Sequence, residues 1–562
     1  MANIMSSFKL QNHPSRNGFD LSNRHTFSAK LGELLPVQVK ECLPGDKFKI
    51  NLSHFSRTQP LNGPAYVRIR EYYDFCFVPY RLLWKYFDQF INQMPNNVAA
   101  SSVDSESHNF TRHPYFSYKD ISFYFDALDQ NSVVDELGLT KSSTSQKLLE
   151  HLGYGDIPSW SNYDNVMAKD FACNPFPLLA YQKIYNDIFR YDQWERPLPH
   201  CFNVDYMDDP NDMMIPVGSE LGYSGVDMFN LRYANYPKDL IMGILPNSQY
   251  GDVSIVSTTT GLDSLRTPVT SGQSWNFSIH ANAGNNSPTQ GLGVPLTDKA
   301  SIDSFFNFSI LALRKAEFLQ KWKEVAQTAK QDYRDQIKAH WGVEISKARS
   351  GVVEYLGGIT SNVQIEGEVN SNLSDGSTII KGTAISGSHG QIDFDVPEHG
   401  IIMCIYHAAP LLDYPASNNF DWFNIKTNVA DYAIPEMDKT GMQILPTAIV
   451  DSRKASYETF GDFTGYVPRY IDYKTDIDKV YGIFNKAEDY KAWVAPFDFN
   501  KWQDIAHVAN SWVYKAFKVN SSFFDNVFAV NVNSDVTTDQ LLCNADFDVK
   551  VVRNLDTNGM PY

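Results

Sequence analysis

The stretch PLNGPAYVRIREYYDFCFVPYRLLW, Pro60 to Trp84, constrains the fold more than any other part of the chain. Ala65, Val67, Ile69, Tyr73, Phe75 and Phe77 share one parity; Arg68, Arg70, Tyr72 and Asp74 share the other. Strict alternation marks a strand with one buried and one polar face. Extended from Ala65 to Val78, such a strand spans roughly 45 Å, well beyond the usual five or six residues. Its open face would carry arginines and tyrosines, residue types enriched where proteins meet. Arg68, Arg70 and Tyr72, with Arg81 and Trp84 after the proline, are therefore candidate interface residues.

The neighbouring segments share this character. Glu33–Leu52 reads as LLPVQV, a Pro-Gly-Asp turn and KFKINLS. Later strand candidates are Val363–Val369, Ser377–Ile385, Ile392–Val396, Ile401–His407, Phe463–Tyr473, Val527–Asn531 and Val549–Arg553. Between these groups lie helical spacings: Tyr80 to Met94, Phe176–Trp194, and Ile302–His340 with Gly342 as its stop. Residues 95–165 read as a surface excursion with one helix near Ser143–Leu152. Residues 253–298 are nearly free of charge and rich in Ser, Thr, Gly and Asn, as in a surface insertion. Strands at both ends with no βαβ alternation exclude a doubly wound sheet and favour a mainly β sandwich or jelly roll carrying helical and loop insertions.

Charge divides the chain. It carries −17 overall, which disfavours a general nucleic-acid coat. Residues 1–32 hold Lys9, Arg16, Arg24 and Lys30 against Asp20 alone, so a basic extended arm on an acidic body is expected. The six cysteines have no short spacing, which argues against a zinc site or a disulfide scaffold and fits a reducing cytoplasm. The first residues contain no apolar signal core, and no apolar run approaches 18 residues.

Catalytic motifs are missing. There is no GxxxxGK[ST], HExxH or GxSxG. Glu398-His399 with His407 permits an acid–base or metal pair but reads more simply as a polar turn before a buried strand. The carboxylate pairs Asp208-Asp209 and Asp393/Asp395 leave open a carbohydrate-active β-sandwich, a glycoside hydrolase or glycan-binding module.

Several stretches together resemble the major capsid protein of the Microviridae, gokushovirus-like single-stranded DNA phages. They include SRNGFDLSNRHTFSAKLGELLPV, LPGDKFKINLSHFSRTQPLNGPAYVRIREYYDFCFVPYRLLW, PLLAYQKIYNDIFRYDQW, NYPKDLIMGILPNSQYGDV and FDVKVVRNLDTNGMPY, in order along most of the chain. The resemblance implies a viral jelly roll of eight antiparallel strands. It implies self-assembly in the host bacterial cytoplasm into an icosahedral virion around circular single-stranded DNA, with no catalytic residue, cofactor, metal or membrane insertion. Further implied partners are a small basic DNA-binding virion protein and a host surface receptor. The receptor would be met by a three-fold protrusion, best matched by 253–298 and next by 95–165. The expected DNA contacts are Lys9, Arg16, Arg24 and Lys30, unless the arm stitches subunits together instead. The domain reading is an arm over 1–32, a discontinuous core over 33–562, insertions at 95–165 and 253–298, and a long helix over 301–341.

Overall fold

The computed structural model describes residues 16–61, 66–91, 113–135, 137–157, 172–207, 215, 228–249, 310–328, 333–342, 351–370, 380–415, 429, 432–438, 441–446, 463–486, 490, 493–495, 497, 515, 517–525, 527–528, 539–555 and 557. The chain forms two compact units, residues 247–343 and all the rest.

The larger unit is built on nine strands: β1 Asn17–Asp20, β2 Asn23–Ala29, β3 Leu35–Cys42, β4 Lys47–Thr58, β5 Ile69–Pro79, β6 Glu354–Asn370, β7 Ile380–Asp395, β8 Gly400–Pro410 and β9 Leu541–Arg553. Every pairing is antiparallel. One half runs β1 and β2, then β9, β4 and β7; the other runs β3, β8, β5 and β6. β6 joins them at one edge, pairing with β5 up to Val363 and with β7 from Gln364 onward. Counting β1 and β2 as one interrupted strand gives eight positions in two nested four-stranded sheets, a jelly roll.

Alternation explains why the halves close on each other. In β4, Phe48, Ile50 and Leu52 point inward while Lys47, Lys49, Phe55 and Arg57 point out. In β9, Cys543, Ala545, Phe547, Val549 and Val551 point inward. The inner faces meet ring to ring: Phe75 with Phe547 at 6.4 Å, Phe77 with Phe394 at 5.1 Å, and Phe27 with Tyr406 at 5.1 Å. Gly390 is required by this packing, since a Cβ there would lie 2.7 Å from Ile359.

The opening strand is shorter than its alternation suggests, and its second face is not open. β5 begins at Ile69. On its even side Tyr72 and Asp74 are half-buried and Cys76 and Val78 are buried. β8 beside it is buried at every position. The cover is helical. Helix α1 spans Phe87–Ile91, α2 Tyr118–Gln130, α3 Lys141–Leu152 and α4 Phe176–Ile184. α3 packs on β3, and α4 packs on β5 and β8.

Several sequence expectations change here. The predicted arm is part of the sheet from Asn17, because residues 17–29 pair with β9. The helix expected after Pro79 is a 3-10 turn, Tyr80–Leu82, followed by the short α1. Its backbone is used in tertiary bonds, Val204 N donating to Leu83 O and Lys85 N to Asp205. The helix expected over Phe176–Trp194 ends as a π turn at Tyr185–Phe189, where Asp187 ties down Lys183 and the amide of Val353. Among the described residues of the 95–165 excursion there are two helices, α2 as well as the expected α3, and both bury residues in the core. Of the strand expected over Val527–Asn531, Val527 lies in a turn, Phe528 forms an isolated bridge to Leu61, and 529–531 lie outside the described residues.

In the smaller unit, α5 covers Ile310–Thr328 and α6 covers Tyr333–Trp341. The expected 301–341 helix is thus described as two segments. His340 stacks on Trp322 at 5.1 Å, and Gly342 ends α6 with φ of +68°. The insertion 253–298 lies outside the described residues.

Candidate assembly and nucleic-acid surfaces

The predicted interface residues separate once placed. Trp84 is 1% exposed and packs against Phe90 and His113, so its ring belongs to the subunit's own core. Tyr72 stacks flat on His407 at 4.7 Å. Arg68 bridges Asp413 at 3.2 Å and Asp478 at 2.7 Å. Arg81 directs its Nε at both oxygens of Glu398. Arg70 remains exposed on β5. Charge-assisted bonds thus engage Arg68 and Arg81 within the subunit.

The basic residues of the amino-terminal segment are also placed by the sheet, apart from Lys9, which lies outside the described residues. Arg16 donates to Gly45 O at 3.0 Å. Arg24 donates to Asn544 Oδ1 at 2.5 Å and lies 3.8 Å from Asp546 while staying exposed. Lys30 is half-buried, and its amide donates to Glu33.

The titratable groups of the interior are structural. Glu71, the one charged residue on the inward parity of β5, is fully buried. Its carboxylate accepts from Tyr406 OH at 2.7 Å and faces Ser361, which in turn meets His54 Nε2 at 3.2 Å and Ser386 at 2.8 Å. This seam joins β4, β5, β6, β7 and β8, and each of its side chains is buried. Buried polar networks of this kind fix register more than they add stability. Burial pushes the His54 imidazole down, partly offset by Glu71. Sequence reading missed the seam, although Glu71 interrupting the apolar parity of β5 was its visible sign.

The groups considered for chemistry do not converge. Glu398 is held by Arg81, and the His399 ring packs edge-on against Phe87 at 5.7 Å. His407 is buried behind Tyr72 and Phe189, which pushes its imidazole down to about 3. Asp395 pairs with Lys47, and Asp393 accepts from Gln391. Asp208 and Asp209 lie outside the described residues. Among the described residues no group of His, Cys, Asp and Glu could hold a metal ion, and no helix is long and apolar enough to cross a membrane. All six cysteines are free, and burial pushes the thiols of Cys76 and Cys404 well up, which makes them inert.

The outer face of the β2–β9–β4–β7 half is different. It sinks in the middle to a shallow cavity of about 630 Å3 lined by Arg24, Leu52, His389, Gln391, Asp546 and Phe547 among others.

A closed jelly roll with long insertions, whose ionisable groups lock strands together rather than converge on a cleft, has the build of a viral coat subunit. A family profile described as capsid protein (F protein) matches residues 7–163 and 163–562, and the chain belongs to that family. Capsid protein VP1 of Chlamydia phage 1 is 22% identical over 619 aligned positions, covering 97% of this chain and 95% of its own. Capsid protein VP1 of Bdellovibrio phage phiMH2K is 22% identical over 586 positions, covering 98% and 96%. The chain is a major capsid protein of the Microviridae type, and the carbohydrate-active alternative has no support.

Proposed function

We propose that this chain assembles with copies of itself into a small icosahedral shell enclosing circular single-stranded DNA, and that it acts without enzymatic chemistry. The carrying observation is an end-to-end capsid-family match over a chain whose core is one closed jelly roll. A closed sandwich leaves its insertions and outer faces for contacts between copies, and a capsid subunit needs such surfaces on several sides. At −17 the subunit itself supplies little net charge for phosphates, which favours a small basic virion protein as a second DNA partner. Residues 253–298 are proposed as the three-fold protrusion that meets a host surface receptor. Arg70 is the predicted interface residue best disposed to reach a neighbour.

Negative-stain microscopy of the expressed chain tests the reading. Closed particles of uniform diameter are expected, and nuclease-resistant single-stranded DNA is expected inside those made in infected cells. A strictly monomeric protein under all assembly conditions would overturn it.

A further inference from the structure

β4 presents Lys47, Lys49, Asn51, Ser53, Phe55 and Arg57 to solvent in one row, because its alternate residues fill the core. At one end of this face the charges cancel: Lys47 pairs with Asp395, and Lys550 with Asp20 and Asp548. The other end is unlike it. Phe55 is 42% exposed in a central strand. Its cross-strand neighbours are Asn544 on β9 and Gly387 on β7. Gly387 has no side chain to cover the ring; a Cβ there would stand 3.8 Å from Phe55 Cδ2. The Arg57 guanidinium lies 5.3 Å from the ring centroid. Arg57 makes no ion pair with any described residue, whereas Lys49 lies at the other end, opposite Asp393 across the strand pair. Thr26 donates to Asn544 Oδ1 alongside Arg24. One row further lies the cavity with its amide, imidazole and carboxylate groups.

A partly exposed aromatic ring with a guanidinium over it, and amide, imidazole and carboxylate side chains in the next row, match an unpaired nucleobase. Bases stack on such rings whatever their identity, and their edges bond to amides and carboxylates. Arg57, a cation without an acid partner beside the ring, complements a phosphodiester. A duplex has no free base face to offer. We propose that this face docks unpaired bases of the packaged strand, with Phe55 as stacking platform and Arg57 as phosphate contact, so that the β2–β9–β4–β7 half lines the shell interior. The proposal rests on the reading of a DNA-enclosing shell.

Ultraviolet cross-linking of DNA-filled wild-type particles, followed by peptide mass spectrometry, is expected to attach nucleotides to the peptide carrying Phe55. Phe55→Ala combined with Arg57→Gln should assemble normally and protect several-fold less DNA from nuclease, while Phe55→Trp should keep wild-type protection. The purified full chain should bind a labelled oligothymidylate about 5- to 150-fold more weakly after Phe55→Ala. Its salt slope should be shallow, near −0.7 for about one phosphate. Filled particles with cross-links elsewhere and full protection by the double variant would overturn the base site while leaving the shell intact. So would a double variant that fails to assemble while Phe55→Ala leaves oligothymidylate binding unchanged, since the face would then join two copies. Absence of particles from the wild-type chain would strike at the shell itself.

Discussion

At the residue scale, the buried histidines give the subunit an acid limit. His407 stacks on Tyr72 and meets Phe189 edge-on. Burial lowers it from the ordinary 6.5 to about 3. His151 is lowered to about 4, chiefly by burial and then by Lys147. Between the ordinary value and these folded values the unfolded chain binds protons that the folded chain refuses. Stability is therefore present at neutral pH and is lost as pH falls from about 6.5 towards 3. Asp74 lies 3.6 Å from His407, but burial raises that carboxyl too, which makes it a poor counter-ion. His407→Phe keeps the ring contacts and removes the proton site. Its thermal midpoint should fall less than wild type between pH 7 and pH 4, with up to about 1.4 kcal/mol per pH unit removed from the slope in that window. Equal slopes in differential scanning calorimetry would refute the assignment.

At the element scale, what sequence conveyed depended on whether an element's partner was local. β4 was legible over Lys47–Ser53 and β9 over Val549–Arg553, where apolar and polar residues alternate with one face to solvent, but Leu541–Asp548 of β9 was missed. β8 was legible as a strand but not as a doubly covered one, since burial on both faces erases alternation. The predicted arm failed for the opposite reason: residues 17–29 look polar and turn-rich because they form an edge whose partner, β9, lies more than 500 residues away. Helix α2 had a readable start, Ser117 capping the amide of Asp120 and Ile121, Tyr124, Phe125 and Leu128 on one face, which the surrounding polar residues obscured. The candidate sites were less legible still. The type of residue at Arg68, Arg81 and Trp84 was visible, but not that Asp478, Glu398 and the subunit's own core would claim them. The parity of β9 makes a direct test. Phe547 is 1% exposed between Phe75 and His25. Phe547→Ala should cost about 3–5 kcal/mol, whereas Val552→Ala, on the outer face of the same strand, should stay within about 0.5 kcal/mol. Comparable losses at both positions in denaturant titrations would contradict the register.

At the scale of the whole molecule, net charge opposes what the fold favours. Each subunit carries −17, so copies repel before any apolar surface meets. Ion pairs such as Arg553 with Asp46 and Lys147 with Glu33 are satisfied inside the subunit and leave its net charge unchanged. Repulsion of this kind reaches about 30 Å at 0.01 M salt and about 8 Å at 0.15 M, while apolar contacts are insensitive over that range. DNA-free subunits should therefore assemble faster as sodium chloride rises from about 0.01 to 0.15 M, followed by light scattering. Binding to a single strand should weaken over the same interval, because salt competes for the phosphates. The opposite signs separate the two contacts in one titration. Assembly that slows with added salt would mean that ion pairs across subunits, rather than apolar surface, hold the shell together.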